Sequence, residues 1–269
     1  MCPEHHHNLS INKMKKLGII LSGLMVVFYS CNSSEDIGPD LTDDLLEITT
    51  HAENDLNISI YAPEKLFVGY NEITVEIKDT DGHPVSGEIS VVPMMDMTTM
   101  SHSCPLEADQ NTFSAGIYNF NAVFVMPSGE MGSWSIDFTI NGMEISVPVE
   151  VIAPERSRLV SFISTMDEET KYFVTLIGPK DPAVGKNDLE IAVFETQRMM
   201  LWPAVTTLEF EVEPWMVSMD HGSPNNVAPG HTEEGHYKGT VNFTMTGDWQ
   251  IRLTMTENGE ICGTPYFDL

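Results

Sequence analysis

The sequence predicts an all-β protein, two sandwiches in tandem behind a signal segment and an acidic linker. Three observations predict it. Short runs of alternating apolar and polar residues, bounded by turn residues, recur from about residue 57 to the end. One stretch of the first half returns in the same register in the second half. The first 31 residues have the pattern of an export signal rather than of a folded element.

The repeat is the most specific of the three. Met97-Thr-Thr-Met100-Ser-His102-Ser-Cys-Pro105 reappears as Met216-Val-Ser-Met219-Asp-His221-Gly-Ser-Pro224, so both copies read Met-x-x-Met-x-His-x-x-Pro. Gly116-Ile-Tyr118 answers Gly235-His-Tyr237, Phe124 answers Phe243, and Met126 answers Met245. His102 to Met126 and His221 to Met245 are both 24 positions. A register kept over about 30 residues implies two copies of one domain.

Along the first copy, Ile73, Val75 and Ile77 share one face of a strand, and the turn-rich 79–84 leads to a second strand over 87–91. Residues 118–126 alternate, residues 127–132 form a turn, and Trp134, Ile136, Phe138 and Ile140 line one face of the strand after it. Asn141-Gly142 is a strong hairpin signal joining that strand to 143–148. In the second copy Val184-Gly-Lys-Asn187 leads into Leu189–Val193, as Val68-Gly-Tyr-Asn71 leads into Ile73–Ile77. Residues 207–212 enter the second motif, 238–245 and 249–255 pair across a short turn, and Asn258-Gly259 turns the chain once more. Short strands with regularly placed turns give two immunoglobulin-like sandwiches, at 57–153 and 154–269, with the boundary near Ile152-Ala-Pro154.

Before residue 57 the chain reads as an address and a tether. Lys13, Lys15 and Lys16 precede an apolar run of about 12 residues, 17–28, which suits a signal peptide and is short for a membrane span. Met14 is the better start for such a signal, and His5, His6 and His7 fall upstream of it. Residues 32–56 are polar, with Asp40, Asp43, Asp44 and Glu47, and read as a linker.

Composition excludes some functions. Against 13 Lys and Arg stand 40 Asp and Glu, a formal net charge of −27, so nucleic acid is not an expected partner. No nucleophile elbow, phosphate loop or zincin motif is present, and no pair of carboxylates has a spacing that suggests acid–base work, so an enzyme is not expected. Of four Cys, Cys2 lies upstream of Met14 and Cys31 ends the signal. Cys104 and Cys262 remain, as a disulfide that would staple the domains or with Cys104 as a further soft ligand. Ser223 stands where Cys104 does in the other copy, so the motif does not require a thiolate.

The chemistry of the motif is that of soft donors. On an extended backbone Met100 and His102 share a face, as do Met219 and His221, whereas Met97 and Met216 need a loop or bulge to join them. Pro105 and Pro224 end any strand there, which places the motif at a sandwich rim. Two thioethers and an imidazole suit Cu(I) far better than Zn, Mg or Ca. Met126 and Met245 are candidates for a fourth donor, although a face shared with Phe124 and Phe243 favours a core position. Met94, Met95, Met199 and Met200 add Met without a repeated position. His231 and His236 have no equivalents in the first copy and read as exposed loop residues, and Trp202 and Trp215 are unmatched.

Three resemblances add to this reading. Val27-Phe-Tyr-Ser30-Cys31 resembles the lipobox of bacterial lipoproteins, which implies an acylated Cys31 held in a bilayer. Asn32-Ser-Ser-Glu35-Asp36 resembles the surface-export signal of Bacteroidetes lipoproteins. The Met-rich segment ending in His-x-x-Pro, then Gly-x-Tyr, a strand, and a closing hairpin with Gly132-Ser-Trp134 or Gly247-Asp-Trp249 resembles the YtkA-like domains, with FixH-like and CopC-like copper proteins more distant. That resemblance implies an extracytoplasmic sandwich associated with copper handling. The function expected is a membrane-tethered copper-binding or copper-transfer lipoprotein on an outer-membrane, periplasmic or cell-surface face, with a copper-acceptor protein as its partner. The alternative is a metal-free surface module of structural or adhesive role.

Overall fold

A computed structural model describes residues 42–108, 115–196 and 198–269. The signal, Cys31 and the start of the linker lie outside the described residues. Nine strands build the first domain: β1 (Leu46–Glu53), β2 (Leu56–Ala62), β3 (Gly69–Asp79), β4 (Ile89–Asp96), β5 (Ser101–His102), β6 (Leu106–Ala108), β7 (Ile117–Phe124), β8 (Ser133–Ile140) and β9 (Met143–Val149). They form two antiparallel sheets, β1-β2-β3-β7-β6 and β5-β4-β8-β9. The second domain repeats the order with β10 (Leu159–Ile163), β11 (Lys171–Gly178), β12 (Gly185–Thr196), β13 (Glu209–Met216), β14 (His221–Gly222), β15 (Val227–His231), β16 (His236–Phe243), β17 (Trp249–Glu257) and β18 (Glu260–Gly263). Its sheets are β10-β11-β12-β16-β15 and β14-β13-β17-β18, and a final strand, β19 (Tyr266–Asp268), pairs with β17. Both domains are thus immunoglobulin-like sandwiches, strand for strand.

Alternation builds each core as the sequence predicts. Leu56, Ile58, Ile60 and Ala62 of β2 point inward against Trp134, Ile136, Phe138 and Ile140 of β8. In the second domain Leu189, Ile191 and Val193 of β12 meet Trp249, Ile251, Leu253 and Met255 of β17. The repeated Val-Gly-x-Asn is a loop pin. Asn71 accepts from the Phe67 amide at 3.0 Å and donates to the Phe67 and Gly69 carbonyls, both at 2.8 Å. Asn187 does the same with Ala183 and Gly185. The repeated Gly-x-Tyr is steric. Gly116 and Gly235 both have positive φ, and a Cβ on either would stand 2.6 or 2.7 Å from the carbonyl oxygen of Ile77 or Val193.

Two expectations need correction. The linker does not run to residue 56: Leu46–Glu53 is an edge strand paired to β2 through a turn at Asn54 and Asp55, both at positive φ. Its residues are mostly exposed, so it shows none of the alternation that reveals a half-buried strand. Nor do Cys104 and Cys262 form a disulfide. Both are free and buried, each in the core of its own domain. Both thiols are therefore expected to resist alkylation in the native chain and to react fully in denaturant without reductant. Mass mapping of Cys104 and Cys262 checks this, and a linked peptide pair would contradict it.

The domains dock. The connection leaves the first sandwich after Ile152, whose amide and carbonyl still bond Leu66 and Val68. An apolar seam forms from Val123 of the first domain and Leu159, Phe173, Ala192 and Phe194 of the second.

Candidate metal-binding site

The first motif closes a hairpin at the sandwich rim. β4 and β5 pair with Met95 opposite His102, and the Met97 amide donates to the Met100 carbonyl at 2.9 Å across a turn with Thr98 at positive φ. Opposed residues of an antiparallel pair point the same way, and so do residues two apart. Met95, Met97, Met100 and His102 therefore share one face. Met95 is fully buried, Met97 packs against the core edge, His102 is half-buried and Met100 is exposed. The turn, rather than a bulge, brings Met97 to the side of Met100.

His102 is held in one orientation. Its Nδ1 lies 2.7 Å from the Ser103 carbonyl oxygen, which can only accept, so Nδ1 carries the proton. In the neutral ring Nε2 is then the bare nitrogen, and it stands 3.4 Å from the Sδ of Met126. Fixing one imidazole nitrogen on a carbonyl is how metal-binding histidines are oriented. Trp134 walls the ring edge-on at 5.5 Å, and its Nε1 donates to the Met126 carbonyl at 2.9 Å, which anchors that residue too.

The second rim repeats most of this. Met216 stands opposite His221, whose Nδ1 donates to the Gly222 carbonyl at 2.9 Å. Trp249 meets the ring edge-on at 5.6 Å and donates to the Met245 carbonyl at 2.8 Å. A short 3-10 turn, Val217–Met219, replaces the first hairpin, and Ser218 ties it to the Asp248 carboxylate. Met219 and Met245 are exposed, and among the described residues the imidazole–sulfur contact of His102 has no counterpart at His221.

The register corrects one equivalence. The sequence aligns Met97 with Met216, yet Met95 pairs with Trp134 as Met216 pairs with Trp249. The Cε of Met95 and of Met216 also crowd Gly132 and Gly247, close to where a Cβ would stand. The buried Met beside each His is thus Met95 or Met216, and the first hairpin is two residues longer. Met97 belongs to the first rim alone.

Other predicted residues fall elsewhere. Cys104 is not a rim ligand, because it is in the core, where burial pushes its thiol up. Met126 is half-buried beside His102 rather than in the core, and Met245 is exposed. His231 is exposed, as predicted, but His236 is not. It is buried between Glu107 of β6 at 2.7 Å and Glu190 of β12 at 2.9 Å. Both ring nitrogens face carboxylates, so both donate and the ring is an imidazolium. Its pKa is raised by the Glu107 hydrogen bond, which prevails over burial with help from Glu190. Trp202, unmatched in the sequence, reaches the first rim from the second domain: Nε1 donates to Ser103 Oγ at 3.0 Å, and its ring lies 6.4 Å from that of His102. No local pattern could have shown that contact.

As donors the rims suit one metal class. Among the described residues no group of three or more His, Cys, Asp or Glu could hold a metal ion, so a hard or borderline ion has no cage. The pair at the first rim is an imidazole nitrogen and a thioether sulfur. Their 3.4 Å separation is shorter than the roughly 4.3 Å sum of a metal–imidazole and a metal–sulfur bond, so one ion can bond both at a bent angle. These residues fit a soft monovalent ion.

Comparison with known proteins gives the lineage. No curated protein matches the chain. Among solved structures it is similar to domains 5–6 of the S-layer protein SbsC, at 12% identity over 83% of this chain and 96% of that one, with a TM-score of 0.30. It is also similar to the Yersinia pseudotuberculosis adhesin InvE, at 10% identity over 78% of this chain and 58% of that one, with a TM-score of 0.26. The profile of the YtkA-like family matches residues 50–138 and again 166–254, one match on each sandwich, and the chain belongs to that family.

Proposed function

We propose that the chain is an extracytoplasmic lipoprotein, tethered through acylated Cys31, that binds monovalent copper at its two His/Met rims and passes it to an acceptor protein. One observation carries the reading: the Nε2 of His102, whose Nδ1 is held on the Ser103 carbonyl, faces the sulfur of Met126 at 3.4 Å. At the first rim His102 and Met126 would hold the ion, with Met97 and Met100 on the same face of the hairpin as His102. At the second, His221 would do so with the exposed Met219 and Met245. Thioethers and imidazole stabilise Cu(I) without closing its coordination shell, which suits exchange with a partner over permanent storage. The acidic surface attracts cations weakly and over distance, which helps delivery to either rim.

A competitive Cu(I) titration of the full-length chain, reduced, anaerobic and in mild detergent, tests this with a chromophoric chelator. Two equivalents are expected. His102→Ala with Met126→Leu should remove one, and His221→Ala with Met219→Leu the other. No competition by the parent chain would overturn the reading and leave the metal-free surface module.

A further inference from the structure

The two rims are alike in sequence but not in surroundings. The loop between β12 and β13 crosses from the second domain to the first rim. Arg198 and Leu201 bridge to close a tight turn, with Met199 and Met200 at its tip. The Ser103 amide donates to the Met199 carbonyl at 2.9 Å, one residue from His102. A backbone hydrogen bond of that kind brings two chain segments about as close as neighbouring strands, about 5 Å. Met199 and Met200 are 49% and 53% exposed, so neither side chain is committed to a core. Trp202 follows in the same loop, fixed by Ser103 Oγ and by an edge-on contact with Phe173 at 5.0 Å.

We propose that the second domain completes the first site. The turn at Met199 and Met200 supplies a further thioether to the ion held by His102 and Met126, and Trp202 covers it. The first site is then a composite of both domains, tighter and less exchangeable than the second. This rests on the copper reading above. The physical reason is entropic. The turn is already docked by two hydrogen bonds to Ser103, so a thioether from it reaches the site without the cost of ordering a loop.

The test is again a Cu(I) titration of the full-length chain in mild detergent, with tryptophan emission and the copper X-ray absorption edge as second readouts. Met199→Leu with Met200→Leu keeps apolar bulk at two exposed positions, so the fold should be unaffected. The tighter of two equivalents should weaken about tenfold, and the mean number of sulfur neighbours per copper should fall. Trp202→Phe should remove part of the emission quenched by the first equivalent and leave the part that comes from Trp134. Two equivalents in the parent with an unchanged tight site and sulfur count in the double variant would overturn the composite site and leave copper binding intact. No equivalents in the parent would overturn both.

Discussion

Replacing His236 with alanine is expected to cost about 3 kcal/mol, the lower end for breaking one partner out of a buried charged cluster. It is also expected to loosen the contact between the domains. The imidazolium touches a carboxylate from each domain, Glu107 of β6 and Glu190 of β12. Tyr70 of β3 donates to the other oxygen of Glu107 at 2.7 Å, Asn121 of β7 adds a third bond to that carboxylate, and Lys238 of β16 stands 3.4 Å from Glu190. Glu233 and Glu234 line the same cleft. Without His236 two carboxylates are left facing each other across the seam in a partly desolvated setting, and their repulsion adds to the loss.

The pH dependence has a definite sign. The pKa of His236 is raised in the folded chain, with the Glu107 hydrogen bond as the leading cause. Its contribution is therefore complete below the ordinary imidazole value of about 6.5 and is lost as pH rises through the raised value. Glu107 behaves oppositely. Burial alone would raise its pKa, but hydrogen bonds from His236 and Tyr70 prevail and lower it. Its contribution is complete above the ordinary Glu value of about 4.3 and is lost as pH falls through the lowered one. The seam should be firmest from mildly acidic pH to near neutrality and weaken on the alkaline side. Urea unfolding at a series of pH values measures this. A parent chain whose alkaline limb matches that of the alanine variant would sink the prediction.

The second large effect is expected at Trp134. Truncation to alanine should destabilise the first domain by about 4 kcal/mol, as for other fully buried aromatics. Only 1% of the side chain is exposed, and it packs against Phe124 with ring centroids 4.9 Å apart. It also supplies the one indole N–H that meets the Met126 carbonyl, and it walls the His102 ring. Trp134→Phe separates these roles. Phenylalanine restores much of the apolar volume but leaves that carbonyl without its donor, a loss of about 1–3 kcal/mol if no water replaces it. Met126 would then be free to leave His102. The alanine variant should therefore fail in stability, while the phenylalanine variant should stay folded and lose affinity at the first rim. Trp249→Phe is the matched control, since it should disturb only the second. First-rim affinity unchanged from the parent in Trp134→Phe would mean that Met126 needs no anchor.

The sequence carried the sandwiches because each rests on local physics repeated many times. Alternation placed Trp134, Ile136, Phe138 and Ile140 on one inner face, and Asn141-Gly142 turned the chain between β8 and β9. The duplicated motif placed His102 and His221 at equivalent rims, each opposite a buried Met. Edge strand β1 carries no readable period because its residues are mostly exposed and few of them pack on the core. The sequence leaves a Cys104–Cys262 disulfide open, whereas separate cores keep the two thiols apart.

The sequence by itself thus determined the fold class, the duplication and the soft donor types at each rim, since these depend on periodicity and on side-chain chemistry alone. The tertiary structure decided which atoms meet. Met95 rather than Met97 is the counterpart of Met216, because a hairpin two residues longer shifts one alignment without shifting the sheet. His236 is a buried cation rather than a loop residue, because its two carboxylates come from strands 129 and 46 positions away. Trp202 lies over the first rim only because the domains dock, and a contact across 99 positions leaves no trace in local spacing.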